Sequence, residues 1–194
     1  MAARLGLLQR RCPVALVGGT NGKGSTATAL AALLRACGAR TGLFTSPHLL
    51  RYNERIRIDG EAAADEALVG AFERIEAARG AITLTYFEYS TLAALELFRR
   101  AAVDAMVLEV GLGGRLDATN ILDADVAVLC SVGLDHRDWL GDTLELIGAE
   151  KAGIFRRGQH VVVGSTELPD SVWRRLEQLQ CRVHRPQPEF DWHI

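Results

Sequence analysis

The stretch VGGTNGKGST, Val17 to Thr26, decides how the rest of the chain is read. It has the residue types of a phosphate-binding loop but not the usual spelling. In G-x-x-x-x-G-K-[ST] a glycine stands five places before the glycine that precedes the lysine, and here that place is Val17. Gly24 follows Lys23, so the hydroxyl arrives one residue late, at Ser25. Either this is a glycine-rich turn without a nucleotide, or it is a distinct variant of the loop, and its surroundings must decide.

Upstream, the short apolar run PVALV reads as a buried strand that leaves its sheet at Gly18 and Gly19. Downstream, STATALAALLRACG is rich in Ala and Leu and closes on Gly38, which suits a helix with a glycine at its carboxyl end. The glycines therefore fall in a strand-to-helix turn. Gly19, Gly22 and Gly24 permit unusual dihedrals there and let backbone N–H groups approach a phosphate. The start of a helix adds unpaired N–H groups and a partial positive charge. Lys23 can supply a full charge to the β- and γ-phosphates, and Ser25 or Thr26 a hydroxyl. The competing reading is a tight turn with a solvated lysine and Ser25 as a helix cap. Strand, helix, lysine and hydroxyl together favour a nucleotide.

Working outward, TGLFTS reads as a second strand and RYNERIRIDGE as a loop with a short extended arm. DEALVGAFERIEAARG carries Leu68, Phe72 and Ile75 at helical spacing, and YFEYSTLAALELFRRAAV is another long helix. AMVLEV, ADVAVLCSV and HVVVGS are near-continuous apolar runs of the kind buried on both faces, with DTLELIGAEKAGIF as a helix between the last two. Strands alternating with helices predict an α/β fold, a mostly parallel sheet flanked by helices, with ligands beyond the carboxyl ends of the strands.

At 194 residues and 48% hydrophobic, the chain is long enough for one well-packed domain. A net charge of -2, with both signs interspersed, gives no reason to expect nucleic acid or an anionic membrane. The cysteines Cys12, Cys37, Cys130 and Cys181 are widely spaced with no C-x-x-C pair, which indicates neither a zinc knuckle nor a disulfide framework and suits a reducing compartment. No run reaches the roughly 18 apolar residues of a membrane helix, and the amino end lacks a secretory signal pattern. A soluble, cytoplasmic protein is expected. HRPQPEF, near the end, is a weak boundary signal.

Three further strand ends carry polar residues. AMVLEVGLGGRLDATN places Glu109 before a second glycine-rich turn, where a carboxylate can orient Mg²⁺ beside a phosphate. VAVLCSVGLDHRDWLGDT places Asp135 and His136, and LFTSPHL places Thr45, Ser46 and His48. Singly, each has a plain alternative: a carboxylate paired with an arginine, a capping side chain, a Ser-Pro turn. Four polar clusters at carboxyl ends of one sheet predict a single crevice.

GTNGKGS, SPHLLRYNERIRIDG, TYFEYSTLAAL, LEVGLGGRLDATN and GLDHRDWLGDTLELIGAEKAGIFR together closely resemble the folylpolyglutamate synthase and dihydrofolate synthase family, within the Mur-type ligases. The likeness runs in order from about Pro13 to Gly164, and the loop with Gly-Ser after the lysine is the form this family uses. The resemblance implies a P-loop NTPase-like central domain. It implies ATP contacts at Thr20, Asn21, Gly22, Lys23, Gly24 and Ser25, and two Mg²⁺ ions held by Ser46, Glu109, His136 and a carbamylated Lys151. By chemistry alone the His136 nitrogen is the ligand least suited to Mg²⁺, and Glu150-Lys151 reads as a charged helix face. Thr85, Tyr86, Phe87 and Glu88, with Leu116, Asp117 and Ala118, align with positions that bind the pterin-bearing substrate. Aromatic rings can stack on a pterin and carboxylates can bond its amino groups; the alternative makes Tyr86 and Phe87 core residues at a helix start.

The activity implied is ATP-dependent attachment of L-glutamate to a folate or dihydropteroate carboxylate through an acyl phosphate, with Lys23, Glu109, His136 and Lys151 as the catalytic group. Only small molecules are expected as partners, of a monomer. Relatives of this kind are longer, so residues 1–194 are expected to be a single ATP-binding domain truncated at both ends, without the carboxyl-terminal glutamate-ligase domain. The alternatives are another Mur-type amino-acid ligase and a catalytically incomplete nucleotide-binding fragment.

Overall fold

Residues on the buried strands alternate between two apolar layers, which is why their sequences read as continuous apolar runs. The computed structural model describes residues 1–9 and 11–186. Strands β1 (Val14–Gly18), β2 (Thr41–Phe44), β5 (Ala105–Glu109) and β6 (Val126–Leu129) turn Val17, Leu43, Val107 and Val128 to one side. There they meet Ala27 and Ala31 of α1 (Lys23–Ala36), small residues that let the helix lie close to the sheet. Leu16, Phe44, Leu108 and Leu129 turn the other way. They pack with α2 (Asp65–Arg79), α3 (Tyr86–Ala101) and α6 (Asp170–Gln178), which contribute Ile75, Phe98 and Val172.

The remaining strands are β3 (Ile56–Ile58), β4 (Glu61–Ala62), β7 (His160–Val163) and β8 (Arg182–His184), and the eight form one sheet in the order β4-β3-β2-β5-β1-β6-β7-β8. All pairings are parallel except β2 with β3 and β3 with β4. The predicted α/β class and mostly parallel sheet are as found, and the extended arm of RYNERIRIDGE is the antiparallel edge. β1 lies between β5 and β6, and the chain leaves it toward β2 on one side while β6 lies on the other. Connections diverging from one strand end leave a crevice there.

Several local expectations change. α1 begins at Lys23 rather than Ser25, with Gly22 at φ 83° as its cap, so Ser25 lies inside the first turn and is no cap. A residue with a Cβ is strained at that φ, which is why the turn uses glycine. DTLELIGAEKAGIF is helical only over α5 (Leu144–Lys151) before a 3₁₀ turn at Ala152–Ile154. The short α4 (Arg137–Leu140), α6 and β8 are elements that the sequence reading does not supply. Most of HRPQPEF lies outside the described residues. Among those described, no helix is long and apolar enough to cross a membrane, and no disulfide joins the cysteines.

Candidate active site

The four strands whose carboxyl ends carry polar residues, β2, β5, β1 and β6, are immediate neighbours in the sheet. The crevice predicted from the sequence therefore has a continuous floor.

At its centre the turn from Gly18 to Lys23 is held by the segment after β6. Thr20 N–H donates to the Ser131 carbonyl at 2.9 Å, and the Thr20 hydroxyl both donates to Gly133 O (3.2 Å) and accepts from Gly133 N–H (2.9 Å). Asn21 N–H donates to Ser131 Oγ at 3.0 Å, and Ser131 Oγ donates back to Asn21 O at 3.1 Å. Thr20 thus spends its hydroxyl on shaping the turn. Ser131 was not singled out from the sequence; the available signal was a hydroxyl directly after a buried strand beside the glycine turn. Lys23 Nζ donates to Thr20 O at 3.1 Å, folding over the loop at the helix start. Ser25 is exposed, and Thr26 Oγ1 accepts from Cys130 Sγ at 3.4 Å.

Glu109, the last residue of β5, is only 4% exposed. Its Oε2 accepts from Ser46 N–H at 2.8 Å, and a Cβ on Gly24 would stand 3.4 Å from both carboxylate oxygens. The strand-end carboxylate, the turn after β2 and the start of α1 are thereby brought into contact. Burial pushes the Glu109 carboxyl above its ordinary range, while the Ser46 bond and the charges of Lys23 and Arg55 oppose that. The environment disfavours the bare anion and would favour it beside another cation.

Lys151, at the end of α5, is 4% exposed and its Nζ donates to Gly19 O at 3.0 Å. The solvated helix face expected for it is not what the fold provides. Burial first, and then the Lys23 charge, pull its amine down to about 8, with Asp135 working against them. Near pH 7 roughly a tenth is then neutral amine. His136 differs: it is exposed, in a left-handed turn at φ 49°, with its N–H on Asp135 Oδ1 (2.8 Å) and its Nε2 3.5 Å from Asp135 Oδ2.

The seven residues matched to pterin binding divide into three groups. Glu88, Leu116, Asp117 and Ala118 line a common cavity of about 430 Å³. Thr85 and Tyr86 line a second, of about 410 Å³, with Tyr52 and Phe72. Phe87 lines neither; its ring lies against Gly111, where a Cβ would be 2.6 Å away, and 5.6 Å from the Phe44 ring. Tyr86 is 59% exposed, so the core alternative holds for Phe87 and not for Tyr86. Thr85 and Glu88 form a capping box at the start of α3, Glu88 N–H donating to Thr85 Oγ1 (3.2 Å) and Thr85 N–H to Glu88 Oε2 (2.7 Å). Asp117 accepts from Gly111 N–H and Leu112 N–H on one oxygen and from Thr119 on the other, bracing the second glycine-rich turn.

Among the described residues no three His, Cys, Asp or Glu side chains converge into a cage for a metal. A buried carboxylate beside a serine and a glycine-rich helix start is instead suited to Mg²⁺, a hard ion that takes one or two protein oxygens and completes its shell with phosphate and water. The donor set fits that ion.

The model of the Mur ligase middle domain matches residues 17–185. The chain is 55% identical over its whole length to 46% of the dihydrofolate synthase/folylpolyglutamate synthase of Escherichia coli (strain K12). It is 50% identical to that of Haemophilus influenzae, over 99% of this chain and 43% of that protein. Among solved structures, E. coli FolC in complex with DHPP and ADP superposes with a TM-score of 0.94 at 51% identity, over 97% of this chain and 45% of that one. A bifunctional folylpolyglutamate synthase/dihydrofolate synthase with Mn, AMPPNP and L-glutamate bound gives 0.91 at 51% identity, over 96% and 46%. The chain spans a little under half the length of these relatives.

Proposed function

The chain belongs to the Mur ligase middle-domain family, and from that membership we propose that it is the ATP-binding domain of a folylpolyglutamate synthase/dihydrofolate synthase, an ADP-forming ligase joining L-glutamate to a folate or dihydropteroate carboxylate. The observation that carries this reading is the meeting of Lys23, the Ser46–Glu109 pair and buried Lys151 around one glycine turn. The likeness to structures holding ADP, AMPPNP, Mn and L-glutamate supports it.

A carboxylate is a poor acyl donor, so ATP phosphorylates it and the glutamate amine then displaces phosphate. The backbone from Thr20 to Ser25 cradles the phosphates with α1 behind it, and Lys23 swings from Thr20 O to the γ-phosphate. Ser46 and Glu109 would hold one Mg²⁺, and His136 with Lys151 a second, and when bound these ions neutralise the charge that builds on the transferred phosphoryl group. Carbamylation gives Lys151 its oxygen: the neutral amine attacks CO₂, a C–N bond forms and a proton leaves to solvent. The cavity at Glu88, Leu116, Asp117 and Ala118 takes the pterin, Thr85 and Tyr86 meet the substrate from the second cavity, and Phe87 packs against Gly111. We take residues 1–194 as one domain, working on small molecules as a cytoplasmic monomer.

The test is incubation with Mg-ATP, labelled L-glutamate and either dihydropteroate or tetrahydrofolate. Label in the pterin product establishes the ligase, and the accepted substrate names its branch. Nucleotide binding without product supports the second reading, a nucleotide-binding part that does not complete the reaction by itself. Transfer to a cell-wall precursor instead would make it another Mur-type ligase.

A further inference from the structure

Arg55, at the end of the 3₁₀ turn Tyr52–Arg55, is 8% exposed. Its Nε donates to His48 Nδ1 at 2.8 Å, and its guanidinium carbon lies 5.9 Å from the Tyr52 ring centre and 5.3 Å from that of Tyr86. Among the described residues no carboxylate comes within 4.0 Å of its nitrogens, and its terminal nitrogens, which have no protein acceptor, are not fully buried but open to solvent. The buried arginine-binding carboxylate elsewhere in the molecule shows the contrast: Glu96 takes both Arg74 and Arg99 at 2.8 Å. A guanidinium this little exposed is normally matched by an anion, and here the side that would meet one is left to solvent. Two aromatic rings lie against the group, yet they accept none of its in-plane N–H bonds.

The position is equally specific. Thr45 N–H donates to the Arg55 carbonyl at 2.9 Å, so Arg55 stands beside the turn that carries Ser46, and its charge is felt by Glu109. Tyr52 and Tyr86, which flank it, also wall the cavity of about 410 Å³. Tyr52 is itself held, its hydroxyl donating to Ser90 Oγ at 2.8 Å. A planar fork, aromatic walls and an adjoining cavity are the complement of an aromatic carboxylate, since a fork of parallel N–H groups matches two carboxylate oxygens.

We propose that Arg55 binds the carboxylate of the acceptor substrate beside the paired Tyr52 and Tyr86 rings and presents it to the phosphate loop. The proposal rests on the ligase reading above and adds to it the residue that recognises the reacting group. It concerns the acceptor's oxyanion and not the nucleotide's, and the two are separable by measurement.

Calorimetric titrations of the 194-residue chain decide it, with dihydropteroate, with the analogue whose carboxylate is a neutral carboxamide, and with Mg-ATP. The parent protein is expected to prefer acid over amide by about 10- to 100-fold, the range of a charge-assisted pair. Arg55→Met should abolish that preference, Arg55→Lys should retain part of it, and both should bind Mg-ATP within about twofold of the parent, which also reports that they fold. A scaffold role for Arg55 predicts equal weakening of acid and amide, and would overturn the proposal. So would no acid preference in the parent, a preference surviving in Arg55→Met, or a loss confined to Mg-ATP. Should Arg55→Met fail to fold, the parent's acid preference and its reduction in Arg55→Lys still decide. A parent that binds neither acid nor amide nor nucleotide overturns the ligase reading itself.

Discussion

Ser46 N–H donates to Glu109 Oε2 at 2.8 Å, tying the turn after β2 to the last residue of β5. The bond crosses between adjacent strand ends, 63 residues apart in sequence, and both oxygens of the carboxylate lie against Gly24 in the first turn of α1. Glu109→Gln keeps an acceptor for Ser46 N–H while removing a buried charge. It should therefore fold at least as stably as the parent but lose about tenfold or more in Mg-ATP affinity. Chelating the metal should weaken nucleotide binding in the parent and leave the variant almost unchanged. Calorimetry with and without EDTA reads both, and a variant as metal-sensitive as the parent would remove Glu109 from the site.

Lys23→Ala tests the glycine turn directly. Among the described residues the side chain's one hydrogen bond is to Thr20 O, and its charge depresses the Lys151 amine. Truncation should cost little stability and about 10- to 100-fold in ATP affinity. It should also raise the titration midpoint of Lys151, since a neighbouring like charge has gone. Unchanged ATP binding would mean the turn is not the phosphate site.

Lys151 carbamylation predicts a labile carboxyl group. Protein equilibrated with ¹³C-bicarbonate should give a carbamate resonance that is absent from Lys151→Arg and lost on acidification. Failure to observe it in bicarbonate-saturated parent protein would leave Lys151 as a cation bonded to Gly19 O.

Thr85 both caps α3 and lines the cavity it shares with Tyr52, Phe72 and Tyr86, and the two roles separate on substitution. Thr85→Ala should destabilise the protein by about 1 kcal/mol, lowering its melting temperature by roughly 3 °C. Thr85→Ser should restore it. A melting curve unchanged in Thr85→Ala would show that the capping box contributes nothing.

Ser131 exchanges two hydrogen bonds with Asn21. Ser131→Ala removes both and should weaken ATP binding about fivefold or more, with little effect on melting. Equal affinities would show that the phosphate turn keeps its shape without that clamp.

Much of this site can be read along the chain because its residues lie where local pattern changes. Apolar runs give β1, β5 and β6, and Glu109 stands at the point where one run breaks into glycines. Lys23 and Gly22 announce themselves by sitting between a strand and a helix. Such features need only neighbours in sequence, and they determined the α/β class, the glycine-rich strand-to-helix turn and the family resemblance. Tertiary structure alone decided the rest. The order β2-β5-β1-β6 makes four separate strand ends into one floor, and burial turns Lys151 from a surface cation into an amine held at Gly19. Arg55 looks like one charge among many in RYNERIRIDG until the fold packs it against Tyr52 and Tyr86 with no carboxylate among the described residues within 4.0 Å. Desolvation and pairing depend on what surrounds a group in space, and a linear pattern records only what precedes and follows it.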